Sequence, residues 1–110
     1  MEQSLKAPLD PATFEAHAGT VADLLKALGN TRRLMVMCKL AEHREMNVGT
    51  LAEELGISQS ALSQHLAKMR AEGLVAFRRE SQVLWYRIAD PRCERLLAVL
   101  YDLYCKDPDQ

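Results

Sequence analysis

A chain of 110 residues, 48% hydrophobic and 26% charged, predicts one globular core and excludes a disordered chain. No stretch approaches about 18 apolar residues, and residues 1–10 lack the apolar region of a secretory signal, so we expect a cytoplasmic protein without a membrane segment. The net charge of −1 argues against a nucleic-acid partner unless the charges are unevenly distributed.

Two helices are predicted in the first half of the chain, after a flexible tail formed by residues 1–9. Asp10 followed by Pro11 is a good helix start. The following apolar residues alternate between four- and three-residue spacing, which marks one helix face: Phe14, Ala18, Val21, Leu25 and Leu28. A second helix follows a cap at Asn30 or Thr31. Its apolar stripe is Leu34, Cys38 and Ala41, with Met37 alongside.

A tight pair of helices is predicted next. Asn47 caps a short helix, and Gly56 stands at its end, where a left-handed glycine is common. Only Ile57 separates that glycine from Ser58, a second cap, and the helix that follows stops at Gly73. A short helix, a glycine turn and a longer helix are the pattern of a helix-turn-helix.

Beyond this pair the apolar period changes from about 3.6 to 2, which predicts two strands, 74–79 and 83–88. The turn between them is Glu80-Ser81-Gln82, and Asp90-Pro91 then begins a last helix. The apolar side of that helix carries Leu96, Leu97, Leu100, Leu103 and Tyr104. The element order predicts a single domain over residues 10–106, mainly α with a β-hairpin wing: a winged helix-turn-helix of five helices plus a two-stranded wing.

The helix after Ser58 divides into an apolar and a polar side. At about 100° per residue, Leu66 and Met69 lie within about 40° of Leu62, so these three side chains must face the core. The far side is small and polar, which suits a major groove where Ser and Gln meet base edges and Lys meets phosphate. It carries Ser60, Ser63, Gln64, Ala67 and Lys68.

Two further residues of this helix are candidates for DNA contact. Gln59 lies in the first turn, where recognition helices usually make contacts. His65 lies about 60° from Leu62, so it is either a boundary residue bonded to backbone or a DNA contact. The alternative for the whole surface is an ordinary solvated helix face.

Basic residues concentrate on this helix and the hairpin. Residues 58–87 carry a local charge of +3, whereas residues 1–57 and 88–110 each carry −2. Such a strip is typical of a surface that binds phosphate backbone, and ordinary scatter is the alternative. The hairpin tip, which reaches phosphates or the adjacent minor groove, carries Arg78, Arg79 and Gln82. Phe77 and Trp85 are predicted to pack rather than to stack on bases.

Three cysteines are too few and too far apart for a secreted disulfide framework, and none forms a CxxC pair. Cys38 lies on an apolar stripe, which by itself indicates a core residue. Cys93 lies among apolar positions in the first turn of the last helix, where packing is favoured over reactivity although the helix dipole lowers a thiol pKa. Cys105 falls about 80° beyond Leu97, the nearer edge of that helix's stripe, where packing does not demand it.

Three segments resemble the ArsR/SmtB family of dimeric winged-helix repressors. They are LLKALGNTRRLMVMCKL at 24–40, VGTLAEELGISQSALSQHLAKMRAEGLV at 48–75 and VLWYRI at 83–88, within a resemblance that spans residues 21–105. The resemblance implies a homodimer formed by the first and last helices. It also implies that double-stranded, near-palindromic operator DNA is the partner, and that an inducer releases it.

The usual metal sites of that family are not matched, so no metal or cofactor is expected. Residues 42–47 contain no cysteine, residues 90–105 contain no histidine, and the three histidines lack chelating spacing. The cysteines instead resemble the persulfide-sensing branch of the SqrR and BigR type, and the similar HlyU. That resemblance implies that Cys38 and Cys105 are a redox-sensing pair. Reactive sulfur species would link them by a disulfide or a polysulfide chain and weaken operator binding.

Other functions stay open at this point. An ArsR-type repressor that senses a metal or another oxidant is one alternative, and a winged-helix protein-interaction module without a thiol switch is another. The positive strip and the polar helix face argue against the interaction module. No enzyme is expected, since the chain has no Gly-rich phosphate loop, no zinc-protease motif and no nucleophile with an evident base.

Overall fold

The computed structural model describes residues 10–105 as five helices and three strands. The helices are α1 (Pro11–Leu28), α2 (Thr31–His43), α3 (Val48–Leu55), α4 (Gln59–Ala71) and α5 (Pro91–Tyr104). The strands are β1 (Met46–Asn47), β2 (Val75–Glu80) and β3 (Val83–Ile88). The predicted tail, residues 1–9, and the end of the predicted domain at Lys106 lie outside the described residues. No helix within 10–105 is long and apolar enough to cross a membrane.

Each helix begins at a side chain that accepts a hydrogen bond from a backbone N–H of its first turn. These caps are Asp10, Asn30, Asn47, Ser58 and Asp90, with donor–acceptor distances of 2.8 to 3.1 Å. Of the two candidates for α2, Asn30 rather than Thr31 is the cap. Gly56 ends α3 at φ 70°, the left-handed conformation that a residue with a Cβ adopts at a cost. The predicted helix-turn-helix is therefore confirmed.

The strands form one antiparallel sheet in the order β1-β3-β2. The hairpin register pairs Val75 with Ile88 and Glu80 with Val83, so its loop has two residues rather than the expected three. Ser81 in that loop takes φ 58°. The prediction placed Glu80 in the turn because the loop lacks the Asn-Gly signature of a two-residue hairpin. Strand β1 was not predicted at all, because two residues are too few to show an alternating pattern.

The core lies between α2, α3, α4 and the inner face of the hairpin. The predicted core residues of α4 are confirmed, since Leu62, Leu66 and Met69 are all fully buried. The prediction for α2 was wrong at Cys38, which is exposed. Met37 is fully buried, as predicted, and Leu34 and Ala41 are half-buried against the core, but the other fully buried side chains are Val36 and Leu40. Residues 34–38 are all apolar, so the spacing alone permits more than one inward face, and packing selects one of them.

The two terminal helices leave much apolar surface uncovered. In α1 the only buried residue is Leu28, and Phe14 and Leu25 of the predicted stripe are 60% and 55% exposed. In α5, Cys93 and Leu97 are buried, but four large side chains near the end of the helix are exposed. These are Val99, Tyr101, Leu103 and Tyr104.

Candidate nucleic-acid interface and thiol groove

Helix α4 presents the predicted polar face to solvent. It is held from behind by its three buried side chains and from the side by α3, which is joined to it through the turn at Gly56. The exposed residues of its outer face are Ser60, Ser63, Gln64, Ala67 and Lys68. Together they form a surface free of bulky apolar groups, about the width of one helix, that fits into a major groove.

Gln59 and His65 lie at the two margins of this face. Gln59 is exposed and lines a shallow hollow against Gly49 and Thr50, at the beginning of α3. His65 is half-buried and lines a cleft between α4 and the corner where α1 meets α2. Both positions border the predicted interface.

The cleft beside His65 brings further basic residues to α4. Its lining includes Lys68 of α4, Lys26 of α1 and Arg33 of α2. Arg33 is engaged internally, since its guanidinium donates to Glu72 and to the Ala27 carbonyl, each at 3.2 Å. Lys26 could not be assigned to this surface from the sequence, because only the packing of α1 near α4 places it there.

The two arginines of the hairpin tip differ in their partners, since Arg78 is paired with carboxylates and Arg79 is exposed to solvent. Arg79 and Gln82 are exposed near the tip. Arg78 forms a two-pronged pair with Glu45, at 2.9 Å from Nε and 3.0 Å from Nη2, and its Nη1 donates to Glu80 at 3.1 Å. Hydrogen bonds from Arg78 lower the pKa of Glu45, and the same contacts raise the pKa of Arg78. Arg78 is therefore not the freely available phosphate ligand that its position in the sequence suggested.

The aromatic residues of the hairpin are part of the packing, as predicted. The rings of Phe77 and Tyr86 are tilted, with centroids 5.3 Å apart, and the guanidinium of Arg70 lies 4.8 Å from the Phe77 centroid. Arg78 lies 5.7 Å from the centroid of Trp85. The contact of Arg70 with Phe77 attaches the end of α4 to β2.

The three cysteines occupy two environments. Cys93 is fully buried, as the packing interpretation predicted, and burial raises its pKa, whereas the helix dipole was expected to lower it. Cys38 and Cys105 are both exposed. Cys38 lies in a groove between α2 and α5 whose apolar wall includes Leu97 and Tyr101. Partial burial there raises the pKa of Cys38, and the nearby charge of Cys105 raises it further.

The fold thus brings two thiols that are distant in sequence into electrostatic range of each other. Cys38 turns away from the core toward α5, which carries Cys105 at its end. Lys39, which follows Cys38 in the chain, pairs with Glu54 at 3.3 Å. Across residues 10–105, no three His, Cys, Asp or Glu side chains are grouped so as to hold a metal ion.

The raised pKa of Cys38 predicts that its thiol is alkylated slowly at neutral pH. Because the thiolate is the reacting form, alkylation of Cys38 by iodoacetamide will be slower than that of free cysteine and will still increase above about pH 8.5, the ordinary thiol value. Mass spectrometry of the Cys38 peptide across a pH series measures this rate. In the Cys105→Ser variant the profile should move toward lower pH. If the alkylation rate of Cys38 instead stops increasing at a pH below the ordinary thiol pKa, a raised pKa for Cys38 is contradicted.

A helix-turn-helix with a polar outer face, attached to a basic hairpin, defines a winged-helix DNA-binding protein. The profile described as "Bacterial regulatory protein, arsR family" matches residues 30–76, which contain α2, α3 and α4. The chain belongs to the ArsR family of transcriptional regulators.

Similar proteins span nearly the whole chain. The transcriptional activator HlyU of Vibrio cholerae is 40% identical over 100 residues, which cover 91% of this chain and 92% of that protein. The biofilm growth-associated repressor of Agrobacterium fabrum is 42% identical, over 94% of this chain and 92% of that protein. The structure of the transcriptional repressor BigR from Xylella fastidiosa matches 90% of this chain and all of that chain, with a TM-score of 0.82 and 36% identity. These relatives are named as regulators of transcription and not as enzymes.

Proposed function

We propose that this ArsR-family repressor is a cytoplasmic homodimer that releases its operator when reactive sulfur species link Cys38 to Cys105. The observation that carries the proposal is that Cys38 of α2 and Cys105 at the end of α5 lie within electrostatic range of each other. Both are exposed, and the charge of Cys105 affects the pKa of Cys38. The third cysteine, Cys93, is buried and takes no part.

The chemistry requires a persulfide, RSSH, as oxidant. The thiolate of Cys105 attacks the terminal sulfur of RSSH, which breaks the S–S bond and releases RSH. Cys38 then attacks the Cys105 persulfide at its inner sulfur and expels sulfide as H₂S, leaving a disulfide. In total, two protein thiols and RSSH become one disulfide, RSH and H₂S. Two RSSH give a trisulfide with two RSH and one H₂S. We assign the first attack to Cys105 because the raised pKa of Cys38 lowers the thiolate fraction of Cys38.

The uncovered apolar surface of α1 and α5 supports the dimer. Helix α1 is about 27 Å long, yet it buries only Leu28 in its own chain. A helix so little packed needs another apolar surface to be stable in water. A second copy of the chain supplies that surface from its own terminal helices, and the two α4 helices then read two half-sites of the operator.

In this proposal the contacts to DNA come from α4 and the wing. The residues are Gln59, Ser60, Ser63, Gln64, His65, Lys68, Arg79 and Gln82, joined by Arg78 when its carboxylate partners release it. The groove that contains Cys38 is coupled to these residues by the chain itself. Helix α2 ends at His43, and Arg44, which follows it, lines the groove. Strand β1 begins two residues after Arg44 and pairs with β3 of the hairpin. A link that pulls α2 toward α5 therefore acts on the wing.

The test is release of DNA by a persulfide. Reduced protein, bound to a labelled duplex from the region upstream of its own gene, is treated with a low-molecular-weight persulfide and followed by fluorescence anisotropy. We expect a loss of affinity of at least about tenfold, and no loss in Cys38→Ser or Cys105→Ser. Mass spectrometry should find the linked peptides in the wild type.

Cys93→Ser provides the matched control, because it removes the buried thiol of α5, the helix that carries Cys105 at its end. It should respond to persulfide like the wild type. Tight binding that is indifferent to persulfide would overturn the switch while leaving the repressor in place. Absence of binding by the reduced protein at low salt would overturn the DNA-binding function.

A further inference from the structure

The outer face of the hairpin contains an anion site that is already filled. Arg78 on β2 and Arg87 on β3 lie on this face, and both interact with Glu45. Arg78 holds the carboxylate through Nε and Nη2, at 2.9 and 3.0 Å. The positive charge of Arg87 also lowers the pKa of the Glu45 carboxyl. A carboxylate held by the fork of Arg78 occupies the position in which the same fork would hold a phosphate.

Glu45 is well placed to leave this site. It belongs to the segment between α2 and β1, where the preceding Arg44 takes φ 74°. Its side chain is 32% exposed, and the Arg78 side chain is 48% exposed. Because both side chains are in contact with water, separating them does not disturb the core. A DNA phosphate that approaches the wing would therefore compete with Glu45 for Arg78.

We propose that Glu45 is an internal competitor for DNA, whose carboxylate occupies Arg78 in the free protein and thereby limits affinity for the phosphate backbone. The inference rests on the proposed DNA-binding function and adds a residue that determines its strength. Each protomer carries one such pair. Glu80, which also bonds Arg78, contributes less because it makes a single contact at 3.1 Å.

The experiment compares the wild type with Glu45 variants on one probe. The probe is a labelled mixed-sequence duplex of about three helical turns, so that backbone binding is measured without knowledge of the operator. Glu45→Gln should bind about fivefold more tightly than the wild type. Its binding should also fall more steeply with salt, by up to about 0.9 in logarithmic slope for each additional phosphate that the protein neutralises. In Glu45→Gln/Arg78→Gln the tighter binding should disappear.

Glu42→Gln is the matched control. Glu42 is an exposed carboxylate near the end of α2, and its removal changes the net charge equally without touching Arg78. An increase in affinity in Glu45→Gln that clearly exceeds the increase in Glu42→Gln supports the competition. Equal increases in the two variants would overturn the competition. Weaker binding by Glu45→Gln would also overturn it, because Glu45 would then be orienting Arg78 toward DNA. If neither the wild type nor the variant binds the duplex at low salt, the proposed function itself fails.

Discussion

The substitution Ser63→Glu is expected to abolish DNA binding while the protein remains folded. Ser63 is exposed in the middle of α4, among the polar side chains of its outer face. A carboxylate at this position would face the phosphates and base acceptors of the major groove without a partner. We expect affinity to fall by at least about a hundredfold, or ~2.7 kcal/mol, in an anisotropy titration of the reduced protein. The thermal midpoint should change by no more than a few degrees.

A control of equal charge separates this effect from a general repulsion. Arg92→Gln also makes the net charge one unit more negative, but its side chain is 73% exposed on α5 and pairs with Asp90 at 3.0 Å, away from α4. It should retain affinity within about threefold of the wild type. If Ser63→Glu binds as well as Arg92→Gln, the outer face of α4 is a solvated surface and the DNA contacts lie elsewhere.

The substitution Leu66→Ala is expected to destabilise the fold strongly. Leu66 is fully buried beneath the recognition face, between α4 and the rest of the core. Truncation to alanine removes buried apolar area and leaves a cavity, which costs about 2–5 kcal/mol of unfolding free energy. For a domain whose total stability is about 5–15 kcal/mol, that is a large share. Urea denaturation of the reduced protein at a fixed protomer concentration measures the loss.

The neighbouring Ala67 serves as the reference position. It is exposed on the same turn, so Ala67→Ser should change the unfolding free energy by no more than about 0.5 kcal/mol. A loss below about 1 kcal/mol for Leu66→Ala would contradict the burial of Leu66 in the core. DNA affinity of the folded fraction should fall as well, since α4 would no longer be held firmly against the core.

The amino-acid sequence by itself determined the helix boundaries and the orientation of α4. Caps such as Asp10 and Ser58 bond to backbone two or three residues away, and Gly56 supplies its left-handed turn alone, so these features need no knowledge of the rest of the fold. In α4 only one side is apolar, and burial therefore had one solution.

Tertiary structure decided which face of α2 is buried. Residues 34–38 offer apolar side chains in every direction, and the neighbouring elements selected Val36, Met37 and Leu40. Cys38 was consequently turned outward, toward α5 and Cys105. The spacing of apolar residues favoured the opposite result, and only the family resemblance indicated a sensing role.

Contacts between residues that are distant in the chain likewise could not be predicted from the sequence. Glu45 and Arg78 are 33 positions apart, and their pairing depends on β1 joining the edge of β3. The approach of Lys26 to α4 depends on how α1 packs at its last turn. The physical reason is range. Caps, turns and helix periodicity act within about four residues, whereas the environment of a charge or a thiol is set by whichever distant elements the core brings beside it.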